Sequence, residues 1–425
     1  MYLVEDSGAK FILTEQQNAA KILNIHKVHQ FKALFSTNHA KGFLCVQDFE
    51  SEDGGQFQEP RIEDTKNHIS LYTYTTGTTG LPKGAEISMY AFNASAELCR
   101  AAEFFNEGDV LLGWNPVTHA SGFILTMAAF ITGAMVVPSR GQLSAKEFVN
   151  VVNKHQVTSL CTFPTAFRKL VFQLEEGAVP SLKRIIMCGT VFTEDVYQRT
   201  LQVLQLESLR NAYGLSEVIG FITITAPNTI GYRSAGYPLP MVEYKIVDIV
   251  TGGQLGPGEV GEIYFRAPQV MRGYYNRPEA TAQVLDPQRW FRSGDAGYYD
   301  GSGKLYVVER LKDMIKCLDQ QVAPAEIETI LMKHPLVLEA AVVGINHPDL
   351  GEAPTAFVVI DPSTRGRIDS EDLVRLVAEQ TAFHKNLHGG VFFVNQIPKS
   401  ETGKYLRRKL RSGHLRFTGK APDAP

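Results

Sequence analysis

The chain has 425 residues, of which 44% are hydrophobic, so it is long enough for two or three domains with buried cores. Its formal net charge is only -3 and its charged residues are mixed along the sequence, so it lacks the basic face that a nucleic-acid partner requires. The five cysteines are scattered and never spaced as Cys-x-x-Cys, which excludes a disulfide framework or zinc site and favours a reducing compartment.

No targeting or membrane-spanning segment is recognised in the sequence. Residues 1–15 lack the regions of a signal peptide and are predicted to form a helix that leads into a strand. The longest apolar run, residues 123–138, is interrupted by two threonines and a glycine and is predicted to be a buried helix followed by a strand. The last residues carry no Ser-Lys-Leu peroxisomal signal, so a cytoplasmic location is expected.

The predicted elements indicate an α/β fold. In residues 1–230, short apolar runs alternate with amphipathic stretches, which is typical of β-α units around a largely parallel sheet. Residues 231–310 read as short strands separated by Gly/Pro turns and predict a β-rich subdomain. Residues 313–425 predict a separate C-terminal α+β domain, in which a helix begins at Pro324 and another runs from 370 to about 384.

A segment rich in threonine and glycine follows a predicted strand: residues 74–84 read YTTGTTGLPKG. Glycines let backbone N–H groups turn toward an anion, threonine hydroxyls donate hydrogen bonds, and Lys83 adds a positive charge. A flexible surface loop is the alternative, but the length and order of the string favour a phosphate loop. Pro82 and Gly84 flank the lysine and do not fit a Walker A loop, which disfavours an ordinary P-loop ATPase. The predicted nucleotide contacts are Thr76, Gly77, Thr78, Thr79, Gly80 and Lys83.

This string resembles the phosphate loop of the adenylate-forming superfamily, which includes acyl-CoA synthetases, 4-coumarate-CoA ligases, beetle luciferases and nonribosomal peptide adenylation domains. Further segments follow in family order, and the resemblance runs from about residue 3 to residue 410. It implies a large N-terminal domain of parallel-sheet α/β subdomains plus a β-rich subdomain, and a small mobile C-terminal domain. Because the chain matches the family only from the middle of the first α/β subdomain, roughly a hundred residues of a full-length member are expected to be missing, leaving uncovered apolar faces and weak stability or low activity.

Two segments resemble family motifs that line the acid and the nucleotide. Residues 116–122 resemble P-x-x-H-x-x-G, in which His119 would lie against the acyl pocket and the nascent adenylate. A satisfied structural histidine is the alternative. The segment that contains Gly189 resembles the strand-end glycine segment of the acid and adenine pockets.

Residues 211–217 resemble the family's Y-G-x-T-E motif, with serine in place of threonine. The chemistry of this segment is apparent from its residue types. Tyr213 offers a flat face for adenine, and Gly214 lets the backbone approach the base. Ser216 can donate to the α-phosphate, and Glu217 can bind Mg²⁺ through oxygen. A helix-capping Ser-Glu pair is the alternative.

Two more segments resemble the nucleotide and hinge motifs of the family. Asp295 and Arg310 lie fifteen residues apart across one predicted β-hairpin and form a plausible ribose clamp. By resemblance, Lys312 is the centre of the interdomain hinge at residues 311–312. Residues 398–404 resemble P-K-x-x-x-G-K, which implies that Lys404 holds both the carboxylate and the α-phosphate during adenylation. A solvated lysine before a basic helix is the alternative.

The resemblance implies two half-reactions in one site. Acid and MgATP first give acyl-AMP and pyrophosphate with Lys404 in place. The small domain then rotates about Lys312 and presents Lys316 and Gln321, so that the thiol of coenzyme A, the co-substrate, attacks the acyl-AMP.

The sequence departs from the family at two places in this scheme. Ser88-Met89 replaces the usual Thr-His pair, and Leu318-Asp319 replaces Lys-Gly. A glycine in place of Asp319 would permit a backbone conformation or a close approach of pantetheine that aspartate does not, and the carboxylate adds negative charge near a phosphate-rich substrate. The thioester step is therefore expected to be less secure than adenylation.

The predicted function is an ATP-dependent acid:CoA ligase that activates a small aromatic or medium to long aliphatic carboxylic acid. One alternative is a luciferase-like monooxygenase that uses the same adenylation, and another is a truncated nucleotide-binding homologue with little or no turnover. A nonribosomal adenylation domain is disfavoured because no carrier domain follows. A monomer or weak homodimer is expected, and the family also admits a peroxisomal location.

Overall fold

The computed structural model describes residues 2–75, 82–141, 143–190, 192–364, 366–400 and 403–418. Five of the predicted phosphate contacts, Thr76, Gly77, Thr78, Thr79 and Gly80, lie outside the described residues. The described α-helices are α1 (Tyr2–Ser7), α2 (Ala19–His29), α3 (Met89–Ala101), α4 (Ala120–Thr132), α5 (Ala145–His155), α6 (Pro164–Val171), α7 (Glu194–Val203), α8 (Pro278–Val284), α9 (Pro324–Met332), α10 (Ser370–Ala378) and α11 (Arg407–Thr418).

Strands of two to eleven residues make up the sheets. They are β1 (Phe11–Thr14), β2 (Ala33–Ser36), β3 (Leu44–Cys45), β4 (Ile69–Thr75), β5 (Lys83–Ser88), β6 (Val110–Gly113), β7 (Met135–Pro138), β8 (Ser159–Thr162), β9 (Arg184–Cys188), β10 (Ser208–Leu215), β11 (Gly220–Ile224), β12 (Tyr237–Pro238), β13 (Glu243–Val247), β14 (Gly261–Arg266), β15 (Phe291–Tyr299), β16 (Leu305–Arg310), β17 (Ile315–Cys317), β18 (Gln320–Val322), β19 (Val337–His347), β20 (Gly351–Ile360) and β21 (Val391–Phe393).

A seven-stranded sheet in the order β12-β11-β10-β9-β8-β6-β7 forms the centre of the N-terminal part. The strands from β7 to β10 are parallel, whereas β11 and β12 are antiparallel. Helices α4 to α7 each connect two of the parallel strands, and every residue of β8 is buried, as expected for a parallel sheet covered on both faces. The predicted β-α alternation is confirmed, and so is the helix followed by a strand at residues 123–138, which forms α4 and β7.

The next part of the chain is an antiparallel sheet in the order β13-β14-β15-β16, which confirms the predicted β-rich region. Its last strand ends at Arg310, and residues 311–314 lead directly into β17 of a second, C-terminal sheet. That sheet has the order β18-β17-β20-β19, with β21 beside β20. Its core residues pack against α9 and α10, and Pro324 is the first residue of α9, as predicted.

Helix α10 is shorter than predicted. It ends at Ala378 rather than near residue 384, so the predicted extent was wrong. The carbonyl of Val377 accepts from the backbone N–H of Gln380 at 3.1 Å and from the hydroxyl of Thr381 at 2.8 Å. The tightened turn and the competing hydroxyl replace the next α-helical hydrogen bond, and the chain continues into a 3₁₀ turn at Phe383–Lys385.

Two small sheets precede the seven-stranded one. Strands β1, β2 and β3 form a parallel sheet preceded by α1, which confirms the predicted helix and strand at the N-terminus. Phe11 and Leu13 are 58% and 59% exposed on one face of that sheet. Strands β4 and β5 pair as an antiparallel hairpin on either side of residues 76–81. Among the described helices, none combines the length and the apolar character that a membrane crossing requires.

Candidate functional site

An ion pair between Asp295 and Arg310 lies at the end of the β15–β16 hairpin. The two residues face each other in the register of the hairpin, and Arg310 Nε lies 2.7 Å from Asp295 Oδ1. Asp295 is only 2% exposed, and its second carboxylate oxygen accepts a hydrogen bond from the hydroxyl of Tyr213. Burial raises the pKa of Asp295 and Arg310 opposes this shift, while Asp295 raises the pKa of Arg310. The two residues predicted to hold the ribose therefore form an ion pair between a buried carboxylate and a partly exposed guanidinium.

The side chain of Lys404 reaches the end of β9. A Cβ placed on Gly189 would lie 3.6 Å from Lys404 Cε and 2.6 Å from Phe163 Cδ1, and the φ of Gly189 is +83°. A side chain at position 189 would therefore be strained and would meet the Phe163 ring. Burial, followed by the charge of Arg310, lowers the pKa of Lys404. No described residue forms a hydrogen bond or ion pair with the Lys404 ammonium.

His119 is the N-cap of α4 and lies close enough to Lys404 to be affected by its charge. Its Nδ1 accepts from the backbone N–H of Ser121 at 3.2 Å and lies 2.8 Å from the Ser121 hydroxyl. Its ring packs edge-on against Phe163 at a centroid distance of 5.3 Å. Burial, assisted by Lys404, lowers the pKa of His119 to about 4. The imidazole is therefore neutral near pH 7.

The hairpin that flanks the phosphate loop is docked onto the Ser216–Glu217 segment. The Thr73 hydroxyl on β4 donates to the Ser216 carbonyl at 3.0 Å. Lys83, the first residue of β5, places its ammonium 4.4 Å from the ring centroid of Tyr274, and the Tyr274 hydroxyl donates to Glu217 Oε1 at 2.8 Å. Burial and the Glu217 carboxylate raise the pKa of Tyr274, which keeps this hydroxyl protonated. Tyr274 thus connects the lysine of the loop to the predicted metal ligand.

Gly214 is required by the sheet itself. A Cβ at this position would lie 1.9 Å from the carbonyl oxygen of Gly220 on β11, at a register shift between β10 and β11. Gly214 was predicted to let the backbone approach the adenine base closely. The described neighbour is the β11 backbone, so this glycine has a structural reason that does not depend on a ligand.

These groups form one continuous electrostatic cluster. The Glu217 carboxylate contributes to the raised pKa of Arg310, and the Lys404 ammonium opposes the raised pKa of Asp295. The cluster therefore extends from Lys83 through Glu217 to Lys404. The predicted residues brought together are Lys83, His119, Gly189, Tyr213, Gly214, Ser216, Glu217, Asp295, Arg310 and Lys404.

Two predicted residues lie elsewhere. Lys316 and Gln321 face each other across the β17–β18 hairpin and are exposed. Lys312, in the connection that follows Arg310, is near enough to the cluster for its charge to affect Asp295 and Lys404. Asp319 and Leu318 form the turn of this hairpin with positive φ values of 57° and 52°. The expectation that Asp319 would not permit a glycine-like backbone conformation is therefore wrong, because the residue adopts that conformation.

The donor and acceptor groups of this cluster fit a nucleoside triphosphate. Thr165 Oγ1 and Thr190 Oγ1 are buried without a hydrogen-bond partner among the described residues. Thr165 lies beside Gly403, and Thr190 directly follows Gly189 in the chain. Unsatisfied hydroxyls and an unpaired ammonium are groups that phosphate oxygens can bind. Glu217 is left with an oxygen that accepts no hydrogen bond from the described side chains, which suits a hard divalent cation.

Tyr274 and Phe163 contact residues of the site but were not predicted from the sequence. Tyr274 is 7% exposed and lies between Lys83 and Glu217, while the Phe163 ring packs against both His119 and Gly189. Both are aromatic residues in apolar surroundings, a pattern that core residues share. The one available signal was position, since Phe163 directly follows a buried strand and Tyr274 follows a glycine in the β-rich region.

Known proteins share both parts of this architecture. Residues 1–275 match the model of the AMP-binding enzyme family, and residues 326–404 match the model of the AMP-binding enzyme C-terminal domain. Luciferin 4-monooxygenase of Photuris pensylvanica is 32% identical over 418 residues, which cover 95% of this chain and 76% of that protein. 4-Coumarate-CoA ligase 1 of Narcissus pseudonarcissus is 30% identical over 420 residues, which cover 96% and 76% of the two chains.

Solved structures give the same result for the fold. ATP-bound MatB from Rhodopseudomonas palustris superposes with a TM-score of 0.87 at 23% identity, covering 99% of this chain and 82% of that one. The amide bond synthetase McbA from Marinactinospora thermotolerans superposes with a TM-score of 0.83 at 26% identity, covering 97% and 81%. The chain belongs to the AMP-binding, adenylate-forming enzyme family.

Proposed function

We propose that this protein is an ATP-dependent acid:CoA ligase. It would activate a small carboxylic acid as acyl-AMP and then transfer the acyl group to coenzyme A. The observation that carries the proposal is the position of Lys404, whose ammonium lies among Gly189, His119 and the Asp295–Arg310 pair and has no partner within the described part of the chain. Similarity to 4-coumarate-CoA ligases over 96% of the chain supports the same chemistry.

In the proposed first half-reaction, an oxygen of the substrate carboxylate attacks the α-phosphorus of ATP, and the bond to the β-phosphate breaks to release pyrophosphate. Lys404 would lie between the two anions and reduce their repulsion. Neutral His119 would border the acid without adding a second cation beside Lys404. Asp295 and Arg310 would hold the ribose, and Glu217 would hold Mg²⁺, which neutralises phosphate charge when bound. Tyr213 would stack on the adenine, and Ser216 would donate to the α-phosphate.

In the proposed second half-reaction, the thiol sulfur of coenzyme A attacks the acyl carbon, its proton is lost, and AMP leaves. The domain of residues 313–425 would turn about Lys312 to make room for the thiol. The connection is short, because Asp313 N–H already donates to the Arg310 carbonyl at 2.9 Å and β17 begins at Ile315. Beside it lies an open cleft of about 620 Å³, lined in part by Lys312, Lys316 and Asp319. Lys316 and Gln321 would face the site after rotation.

A luciferase-like monooxygenase is the second candidate, and the 32% identity to luciferin 4-monooxygenase favours it. This activity would use the same adenylation of a carboxylic acid. The two candidates differ in the second step, where oxygen rather than a thiol would react with the acyl-AMP. Light emission with ATP and a luciferin, without coenzyme A, would distinguish this candidate.

Pyrophosphate release from the full chain, measured over a panel of aromatic and aliphatic acids with and without coenzyme A, tests the proposal. We expect release that depends on one class of acid, together with a thioester and AMP when coenzyme A is present. Lys404→Ala serves as the inactive control. Pyrophosphate release without any thioester would contradict the ligase and leave an adenylating enzyme. ATP binding without release would instead identify a nucleotide-binding homologue without turnover.

A further inference from the structure

The first helix carries a carboxylate that holds two segments of the candidate phosphate site together. Asp6 on α1 accepts a hydrogen bond from the hydroxyl of Tyr74 on β4 at 2.9 Å. Its other oxygen lies 2.7 Å from Arg277 Nη2. The Asp6 side chain is only 8% exposed, so this charge is shielded from solvent and both partners are needed to stabilise it.

Each partner of Asp6 belongs to a segment that contacts a residue of the site. Tyr74 is paired with Gly84 across the hairpin, and its ring lies so close that a Cβ on Gly84 would be 3.2 Å from Tyr74 Cζ. The next pair of the hairpin is Thr75 and Lys83, on either side of residues 76–81. Tyr74 therefore lies one strand pair away from Thr75 and Lys83, the described residues nearest to the two ends of that segment on the hairpin.

Arg277, the other partner of Asp6, is hydrogen-bonded to the segment that contains Tyr274. Its backbone N–H donates to the carbonyl of Tyr274 at 3.0 Å, and the ring of Tyr274 lies between Lys83 and Glu217. The Tyr275 N–H also donates to the Gly84 carbonyl at 2.8 Å, so the Tyr274 segment extends the hairpin as a third strand-like segment. Asp6 thus bridges two segments that meet at the lysine of the loop.

The same helix has a second contact with the hairpin, through Tyr2, whose hydroxyl also lies 3.4 Å from Asp6 Oδ1. The hydroxyl of Tyr2 donates to the carbonyl of Pro82 at 2.8 Å, immediately before Lys83. Because the peptide bond is planar, this contact also fixes the direction of the Lys83 N–H, which shares the same peptide unit. Helix α1 therefore contacts the hairpin at two points, through Tyr2 and through Asp6.

We propose that Asp6 is a positioning residue for ATP, acting through Tyr74 and Arg277 to hold the phosphate hairpin against the Tyr274 segment. This inference rests on the proposed function only in taking the loop as the triphosphate site. Asp6 lies outside the reacting groups, so its loss should weaken binding of ATP without changing the chemical step at saturation.

The test compares Asp6→Asn with the unmodified protein in two assays: equilibrium binding of MgATP and acid-dependent pyrophosphate release. We expect the Kd and KM for ATP to rise about tenfold, while kcat at saturating ATP stays within about threefold. Glu243→Gln is the matched control, because Glu243 forms an exposed bidentate pair with Arg266 on the β13–β14 hairpin. This control should leave both assays unchanged.

Tyr74→Phe is the second variant, and it covers the case in which Asp6→Asn does not fold. It removes one hydroxyl and keeps the ring over Gly84, so a rise of about threefold in Kd is expected. An unchanged Kd in whichever variant folds, or a loss of kcat with an unchanged Kd, would overturn the inference. Absence of ATP binding to the unmodified protein would overturn it together with the proposed function. Binding without pyrophosphate release would overturn only the proposed function, because the comparison of Kd values still decides the role of Asp6.

Discussion

Arg407 lies 3.8 Å from Glu309, and this contact crosses the connection between the two large parts of the chain. Arg407 also pairs with Glu328 on α9 and donates to the Val342 carbonyl at 3.0 Å, so it is firmly held by the C-terminal sheet. Glu309 precedes Arg310 on β16, and burial raises the pKa of Glu309 to about 7. Arg407 lies three residues after Lys404, so this ion pair helps to fix the Lys404 segment against β16, the strand that carries Arg310.

We therefore predict that Arg407→Met slows adenylation selectively. The substitution leaves two buried carboxylates without their cation, which disfavours the arrangement in which Lys404 reaches the site. Adenylation, measured as acid-dependent pyrophosphate release, should fall about tenfold or more. Thioester formation from acyl-AMP supplied in advance should fall less, because the proposed mechanism gives Lys404 no role in that step.

Arg408→Met is the matched control, since Arg408 is the exposed neighbour of Arg407 on α11. It should retain full adenylation activity. Equal losses of both half-reactions in Arg407→Met, with an unchanged melting temperature, would show that the pair does not favour one arrangement over another.

A second prediction concerns Lys404 itself. Lys404→Gln should lower the rate of acyl-AMP formation by roughly a hundredfold to a thousandfold, as expected when a group that stabilises developing charge is removed. ATP binding should be nearly unchanged, because the clamp at Asp295 and Arg310 remains. Rapid-quench measurement of acyl-AMP and equilibrium binding of ATP separate the two effects.

Lys399 provides the comparison for this experiment. It lies in the same segment, but its ammonium is paired with Glu339 of β19 at 2.6 Å. Lys399→Gln should keep adenylation within about threefold of the unmodified protein. Adenylation that persists undiminished in Lys404→Gln would remove Lys404 from the mechanism.

Two features of this site could be predicted from the sequence, one from hairpin geometry and one from the resemblance to a family. Asp295 and Arg310 were placed opposite each other because a hairpin of that spacing brings its ends together, and the register confirms the pairing. Lys404 was placed by resemblance, and the structure brings it to Gly189. The hydrogen-bonding pattern that ends α10 at Ala378 was not predicted, because the sequence remains amphipathic beyond that point.

Other features could not be predicted, because they depend on contacts between distant segments. Asp6 and Arg277 lie 271 positions apart, and neither belongs to a recognisable motif. The positive φ values of Leu318 and Asp319 were also not predicted, because the absence of a glycine from this turn suggested a different backbone geometry. Tertiary packing selects a positive φ there, although the residue types do not favour it.

A third prediction follows from this turn. Asp319→Gly should stabilise the C-terminal sheet by about 0.5 to 1 kcal/mol, because glycine adopts a φ of 57° without the strain of a side chain. It should also accelerate the thioester step, since it removes a carboxylate from the cleft that Asp349 and Glu352 also line. Urea unfolding measures the first effect, and the rate of thioester formation from acyl-AMP measures the second.

Asp319→Asn separates the two causes. Asparagine removes the charge but keeps a side chain that tolerates the left-handed conformation. If charge controls the step, both variants should accelerate thioester formation equally. If close approach of the substrate controls it, only the glycine variant should do so, and an unchanged or lower rate in both would refute the role assigned to this turn.

The last prediction concerns acid stability and His119. The folded-state pKa of about 4 is below the ordinary value of 6.5, with burial as the main cause and Lys404 as the second. Between these values the unfolded chain binds more protons than the folded protein does, so folding stability decreases as the pH falls from about 6.5 to 4. Above about pH 6.5 the contribution is fully present, and its total size is at most about 3 kcal/mol.

His119→Gln should therefore weaken the dependence of the unfolding free energy on pH between about 6.5 and 4, measured by urea unfolding at several pH values. His155→Gln is the control, because His155 is exposed at the end of α5 and its loss should leave that slope nearly intact. An unchanged slope in His119→Gln would mean that the imidazole is not held neutral beside Lys404. In that case a second cation would lie next to the ammonium at mildly acidic pH, and His119 could not border the substrate carboxylate in the role proposed for it.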